Sequence, residues 1–424
     1  MKYINTKDIN EKVSFREATL SGLATQKGLY VPETVPILPT TFFDNITQMD
    51  DTEITFEVMQ PYVKDSLSES SLKKIIRETL SFPLPIVKLH KNIHVLELFH
   101  GPTMAFKDVG ARFMARCLSE FTIPGKTVKV IVATSGDTGS AVANGFYKVE
   151  GVEVFILFPK GKISAFQEQQ MISLNENITA IEVEGTFDDC QALAKQALND
   201  QALKSTMLLS SANSINAARF LPQMLYYFLA YKQLQPLLEG REWIVSIPSG
   251  NFGNLTAGLY AKKMGLPVHR FIAANNANDT FYQYYHSGQY QPKPSVQTYS
   301  NAMDVGTPSN FERIMHLYRH NHKAIKKDML AATFSDEATL EQISTTHQKT
   351  GYVLDPHGAI GLLALESQIK PEQVGLFLAT AHPRKFEAVV KKAIPGYPTN
   401  KVNLDSGFKT KIKNDYNSLV EILG

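Results

Sequence analysis

Val128-Lys129-Val130-Ile131-Val132-Ala133-Thr134-Ser135-Gly136-Asp137-Thr138-Gly139-Ser140 holds a strand, a glycine turn and a helix start in one uninterrupted run. Val128 to Ala133 is rich in β-branched residues and lacks clean apolar–polar alternation, which predicts a strand buried on both faces. A helix is predicted from about Ser140 to Tyr147. The same unit recurs along the chain. Strands are predicted at His94 to Phe99, Val154 to Phe158, Ile178 to Glu184, Trp243 to Ile247 and Gly375 to Ala379, each with a turn or helix behind it. Repeated strand–turn–helix units predict an α/β fold built on parallel sheet. Residues up to about 80 read instead as mostly helical and polar, broken by Pro32, Pro36, Pro39 and Pro61. Ser81-Phe82-Pro83-Leu84-Pro85 is a stiff stretch suited to a boundary. Beyond Gly396 the pattern weakens.

Composition narrows the function classes. The 424 residues suggest two or three domains, and 43% hydrophobic with 20% charged residues describes an ordinary globular chain. A net charge of +2 provides no field that would draw in a polyanion, so nucleic acid is not an expected partner. No stretch approaches the roughly 18 apolar residues of a membrane span. Met1 to Asn10 has no apolar h-region of a secretory signal, so the expected compartment is the cytoplasm. Cys117 and Cys190 are the two cysteines; both fall in helical patterns as small core residues, and no disulfide framework is expected. The 11 histidines are scattered without metal-ligand spacing, so no metal is expected.

One lysine stands out in His100-Gly101-Pro102-Thr103-Met104-Ala105-Phe106-Lys107-Asp108. A helix is predicted from Ala105 to Leu118. At about 100° per residue Lys107 shares its apolar arc with Met114 and Leu118, while Asp108, Arg112 and Arg116 share the polar side, Asp108 and Arg112 at i,i+4 spacing. A buried ammonium tends to lose its proton, and an unprotonated lysine is what a Schiff base to an aldehyde cofactor requires. The other reading is a packed stem whose head reaches water.

Further turns follow predicted strands, where ligands bind in doubly wound folds. Thr134, Ser135 and Thr138 offer hydroxyls beside a helix N-terminus, suited to a carboxylate or simply to capping. Pro248-Ser249-Gly250-Asn251-Phe252-Gly253-Asn254 precedes a helix predicted from Leu255 to Met264. It is a phosphate cradle or a tight turn into a helix, and it has no Walker lysine. Asn213-Ser214-Ile215-Asn216-Ala217-Ala218-Arg219 brings two amides and an arginine together, for an anion or as surface polarity. Thr380-Ala381-His382-Pro383 places a hydroxyl at a strand end, or is a plain turn into a helix around Lys385. Asp137-Thr138-Gly139 and Asp405-Ser406-Gly407 look like aspartic-protease halves, but the first Asp opens a predicted helix rather than lying on a β-rich scaffold.

In their order and co-occurrence these segments resemble the threonine synthases, pyridoxal-phosphate enzymes of the tryptophan-synthase-β-like group (fold type II). Val13-Ser14-Phe15 and Gly28-Leu29-Tyr30-Val31-Pro32 extend the likeness into the N-terminal part. The resemblance implies two open, twisted, mostly parallel sheets flanked by helices, plus a mostly helical N-terminal extension. The expected units are 1–85, the extension; 86–235, bearing the lysine and substrate groups; and 236–424, holding the cofactor phosphate, with the chain crossing between the last two.

By resemblance, Lys107 holds pyridoxal 5'-phosphate and is the catalytic amine. Ser249, Gly250, Asn251, Phe252 and Gly253, with Asn254 closing the loop, bind the cofactor phosphate. Thr380 faces the ring nitrogen, and Asp137 lies near the 3'-oxygen, neutral or well bonded. Thr134, Ser135 and Thr138 take the substrate carboxylate. Asn213 and Arg219 bind the substrate phosphate, assisted by Lys162. The implied reaction turns O-phospho-L-homoserine and water into L-threonine and phosphate, in a monomer or homodimer. The alternatives are a serine or threonine dehydratase, another fold type II lyase, or a non-catalytic pyridoxal-phosphate- or phosphate-binding homologue.

Overall fold

The computed structural model describes residues 1–122, 125–399 and 407–424. Among them the strands are, in chain order, β1 (Tyr3–Asn5), β2 (Lys12–Val13), β3 (Tyr30–Pro32), β4 (Ile86–His90), β5 (Ile93–Glu97), β6 (Val128–Ala133), β7 (Val152–Pro159), β8 (Ile178–Glu184), β9 (Leu208–Ser211), β10 (Trp243–Pro248), β11 (Arg270–Asn275), β12 (Met329–Thr333), β13 (Val374–Ala379) and β14 (Thr410–Lys413). They form a six-stranded sheet in the order β12-β11-β10-β13-β5-β4, a five-stranded sheet β14-β8-β7-β6-β9, and a three-stranded sheet β2-β1-β3. In the two larger sheets β4–β5 is antiparallel and the other pairs are parallel. The expected two-sheet α/β architecture is the one that forms.

The burial pattern explains why the strand runs lack alternation. In β10 and β13 every residue is buried, because parallel strands linked by helical crossovers are covered on both faces. Strand membership does not follow the sequence spans. β4 and β5, from the start of the 86–235 span, lie in the six-stranded sheet, and β14, near the C-terminus, lies beside β8. The chain therefore crosses between the sheets.

The N-terminal part is mostly helical, as expected, with one addition. It has helices at Phe15–Ser21, Asp51–Val63 and Glu69–Thr79, but also the β2-β1-β3 sheet. These strands are two or three residues long, too short for a period-2 pattern to register. Pro61 does not break the chain's helix; it sits in the last turn of Asp51–Val63, gives up the one N–H bond to the Glu57 carbonyl, and the helix ends at Val63. An Asp50–Glu53 capping box fixes the other end of that helix.

One apolar cluster joins the N-terminal part to both large sheets, with Tyr3, Phe15 and Val58 continuous with Phe113, Val130, Trp243 and Phe271. Cys117 and Cys190 are buried and unbridged, as expected. No helix among the described residues is long and apolar enough to cross a membrane. Asp137 opens the Asp137–Phe146 helix, and Asp405 and Ser406 lie outside the described residues.

Candidate active site

The helix that carries Lys107 runs from Lys107 to Phe121, starting two residues later than the sequence suggests. The segment before it is fastened to the end of β13. Phe106 N–H donates to Thr380 O at 2.9 Å and His382 N–H to Met104 O at 3.0 Å, with Ala105 and Ala381 forming a bridge. Tyr226 Oη donates to Phe106 O. This zipper brings Lys107 and Thr380 to one cavity of about 150 Å³, whose walls also include the ends of β6 and β10.

Two sequence expectations about this helix are corrected. Asp108 is buried, not on a solvent face, and makes no ion pair with Arg112. Its carboxylate accepts from Thr103 N–H at 2.9 Å and from the Thr103 hydroxyl at 2.5 Å. In the first helical turn the side chain folds back onto the preceding loop, while Arg112 donates to Glu78 O. Met114 and Leu118 do not wall Lys107. They belong to the apolar core, whereas the cavity beside Lys107 is lined by other residues, polar ones such as Asp137 and Arg219 and apolar ones such as Phe252 and Leu255.

Lys107 Nζ lies 3.7 Å from Asp137 Oδ2. The other Asp137 oxygen, Oδ1, accepts from Lys385 Nζ at 2.9 Å and from Gln167 Nε2 at 2.9 Å. Burial works against the Asp137 carboxylate, but Lys385, Lys107 and the Gln167 amide outweigh it and hold the carboxyl well below its usual range. Of the two states expected from sequence for Asp137, neutral or well bonded, the structure shows the second. Burial is also the largest influence on Lys107 and lowers the value of its amine; Asp137 opposes this, and Lys385 and Arg219 reinforce it. Breaking a buried pair such as Lys385–Asp137 by deleting one partner costs about 3–5 kcal/mol.

The turn after β6 depends on Gly136, whose φ of +127° suits glycine and whose Cβ would stand 2.4 Å from the Gln167 side chain. Thr134 Oγ1 accepts from Gly136 N–H at 2.9 Å and Gly139 N–H at 2.8 Å, so this hydroxyl secures the helix entry. Ser135 and Thr138 are half-buried on the cavity wall.

After β10 the loop is held from several sides. Ser249 N–H donates to Ala274 O at 2.9 Å, and Ser249 O accepts from Asn275 Nδ2 at 2.8 Å. Asn251 donates to Ser214 Oγ at 3.1 Å and accepts from Ser309 N–H at 2.6 Å. Phe252 adopts a left-handed φ of 61° and packs on Phe281 as the helix Gly253–Lys263 begins. Asn254 Oδ1 accepts from Tyr227 Oη, but its buried Nδ2 has no partner. A Cβ at Gly250 would stand 2.6 Å from Met303 Cα, so no larger residue fits without moving backbone.

Asn213 and Arg219 both line the cavity. The helix in this segment is Ala217–Phe220, capped by Asn216. Asn216 faces away from the cavity and donates to Thr19 O at 2.9 Å and Ser211 O at 3.1 Å. Asn213 Nδ2 donates to Ala133 O at 2.9 Å. Arg219 is 3% exposed, forms no ion pair among the described residues, and leaves Nε without a partner. Burial pushes its guanidinium down to about 10. Arg313, buried on the helix Phe311–Leu317, ties this segment to the N-terminal part: it donates to Ser214 O at 2.6 Å and to Tyr30 O at 3.2 Å. Lys162 is not brought to the cavity. It is exposed after the turn that follows β7, shaped by Gly161 at φ +66°.

Sequence reading missed three polar groups. Lys385, two residues after a proline, reads as a solvated helix start but has a fully buried side chain. Gln167 reads only as a residue of a helix start, yet it joins Asp137 across the gap between two helices. His357 lines the cavity; its Nε2 accepts from Ala302 N–H at 3.2 Å, so its proton lies on Nδ1, 2.6 Å from Asp355 Oδ2. Its one signal is Asp355-Pro356, a helix-start pair that places His357 at a helix N-terminus.

Residues 74–380 match the family of pyridoxal-phosphate-dependent enzymes, and residues 2–80 match the threonine synthase N terminus. A threonine synthase of Serratia marcescens is 45% identical over 93% of this chain and 92% of its own length. The chain belongs to the threonine synthase family. The crystal structure of threonine synthase from Escherichia coli superposes with a TM-score of 0.93 at 41% identity, covering 100% of this chain and 99% of that one. A pyridoxal-phosphate-bound threonine synthase from Brucella melitensis gives 0.89 at 32% identity, covering 100% and 98%. As a threonine synthase family member, this chain is a pyridoxal-phosphate-dependent lyase, and its first 80 residues are the family's N-terminal element. The cavity fits the cofactor on its own evidence: a desolvated lysine amine, an unpartnered buried amide at Asn254, and a Gly250 loop too tight for a Cβ. Gly250→Ala is expected to weaken cofactor retention at least about tenfold, since even a few ångströms' misplacement of a binding loop is costly. Residual pyridoxal phosphate after dialysis, read by absorbance, measures this.

Proposed function

We propose that this chain converts O-phospho-L-homoserine and water to L-threonine and phosphate, with Lys107 as the catalytic amine. The observation that carries the reading is Arg219, a buried cation with no carboxylate partner among the described residues, in the same cavity as Lys107. A buried guanidinium left unpaired by the protein is suited to an anionic group of the substrate.

Lys107 Nζ, Thr380, Asp137 and the loop Ser249, Gly250, Asn251, Phe252, Gly253 and Asn254 would hold the cofactor. When bound, pyridoxal phosphate supplies the electron sink that stabilises negative charge at the substrate α-carbon. Thr134, Ser135 and Thr138 receive the substrate carboxylate, the last two from the open wall. Asn213 and Arg219 bind the phosphate at the γ-carbon and orient it for departure. Lys107 Nζ, whose hold on a proton is weakened by burial, removes the α-proton. A further proton leaves the β-carbon and the Cγ–O bond breaks, phosphate taking the electron pair. The γ-carbon is then protonated, the hydroxyl of water adds at the β-carbon, and the α-carbon takes back a proton from Lys107 Nζ. Closure of the five-stranded-sheet region over substrate excludes water until that step. The enzyme acts in the cytoplasm as a monomer or homodimer.

With purified enzyme and O-phospho-L-homoserine, equimolar phosphate and threonine are expected. Ammonia release from serine, with no phosphate released from O-phosphohomoserine, would assign the chain to the dehydratases instead.

A further inference from the structure

Lys385 has a side chain with no exposure, held by Asp137 Oδ1 at 2.9 Å and by the Thr103 carbonyl at 2.7 Å. The carbonyl contact alone asks only for a hydrogen-bond donor, which a neutral side chain could provide. A cation at this depth is costly, so its charge needs a reason.

The reason lies in how Asp137 is shared. Its Oδ1 faces Lys385, and its Oδ2 faces Lys107 Nζ at 3.7 Å. A carboxylate facing Lys107 alone would favour the protonated amine. Lys385 supplies the compensating charge on the opposite oxygen. The other groups around this pair fit the same balance. Arg219, from the Ala217–Phe220 helix, adds a second cation that opposes a proton on Lys107. Asp108, the next residue on the lysine's own helix, is turned to Thr103 and interacts with Lys385 and Arg219. His357 faces Asp137 from the Pro356–Glu366 helix, and Gln167 contributes a neutral donor.

We propose that Lys385 is a positioning residue of the active site, a buried counter-cation that occupies Asp137 so that this carboxylate does not hold a proton on Lys107. The inference rests on Lys107 being the catalytic amine, and it explains why the protein buries a second lysine one carboxylate away from the first. It also separates the two lysines by role. Lys107 is the amine that reacts, and Lys385 is the ion-pair partner that makes Asp137 tolerable beside it.

The test reads Lys107 itself. Full-length protein freed of cofactor is labelled with trace acetic anhydride from about pH 6 to about pH 11, and acetylation of Lys107 is followed by peptide mass spectrometry, since only the unprotonated amine reacts. Lys385→Met is expected to move the Lys107 midpoint upward by about one pH unit or more. Lys385→Arg, which keeps the cation, restores the wild-type midpoint. Asp137→Asn moves it downward, and Lys385→Met combined with Asp137→Asn brings it back to the wild-type value or below. A Lys385→Met midpoint equal to wild type overturns the proposal. Should Lys385→Met fail to fold, Asp137→Asn decides alone, and an unchanged midpoint there overturns it. The labelling involves no substrate, so a failed turnover assay with O-phosphohomoserine leaves this result standing on its own.

Discussion

Lys107→Ala removes turnover and the cofactor's absorption band near 410–430 nm, a range characteristic of the bound cofactor. Loss of the proton-transferring amine alone lowers the rate by about 10²–10⁴-fold, and loss of the covalent attachment adds to it. The same substitution changes stability in a pH-dependent way. Burial, against the pull of Asp137, lowers the amine below its ordinary value of 10.5. Between the lowered value and 10.5 the unfolded chain holds a proton that the folded chain has released. The lysine's contribution to stability therefore rises with pH through that window and is least favourable below it. Lys107→Ala is thus expected to cost least stability, or to gain some, near neutrality, and to lose that advantage as the pH approaches 10.5. Urea melts at two pH values check the sign. A Lys107→Ala protein that kept the band, or a hundredth of the wild-type rate, would remove Lys107 from its assigned role.

Arg219→Met separates activity from stability. With the guanidinium gone, kcat/KM for O-phospho-L-homoserine is expected to fall by about 10²–10⁴-fold, or about 3–5 kcal/mol, the usual scale for losing a buried charged partner of an anion. Folding should not suffer in proportion. Arg219 is buried, its Nε is unpartnered, and it forms no ion pair with an acid of the described residues, Asp108 acting on it only from beyond contact. Replacing such a cation with an apolar side chain of similar length is neutral or stabilising. An unchanged or higher Tm with collapsed kcat/KM is the expected result. Collapse of both together would mark Arg219 as a structural residue instead.

The long parallel strands were legible because burial on both faces leaves a dense run of β-branched residues; β6 and β8 begin and end at the residues read from sequence. The groups around Lys107 were legible for a related reason. Thr134, Ser249 and Thr380 each follow the carboxyl end of a strand, and parallel sheets collect such positions at one edge. Lys385 and Gln167 were not legible, since each acquires its role from a partner on another segment and neither has a local pattern that marks it as buried. Asp108 was misread for want of two residues in the helix start, enough to turn a first-turn carboxylate back onto Thr103. The short strands β1 to β3 leave no periodic trace at all, yet Tyr30 at the last of them takes a hydrogen bond from Arg313 beneath the Asn213–Arg219 segment.

The crossing of the chain between its sheets has a consequence for biosynthesis. β5, ending at Glu97, waits for its parallel neighbour β13, which begins at Val374, and β8, ending at Glu184, waits for β14, which begins at Thr410. At about 5–20 residues per second this delay lasts tens of seconds. Throughout it the nascent chain exposes unpaired strand edges of the kind that recruit other chains. Ribosome-bound fragments ending before Val374 should accordingly need chaperone protection, measurable by co-sedimentation, and lose that need once Lys413 has emerged. Because Thr380 and Lys385 arrive with that later segment, the lysine at position 107 is synthesised long before its chemical surroundings are complete.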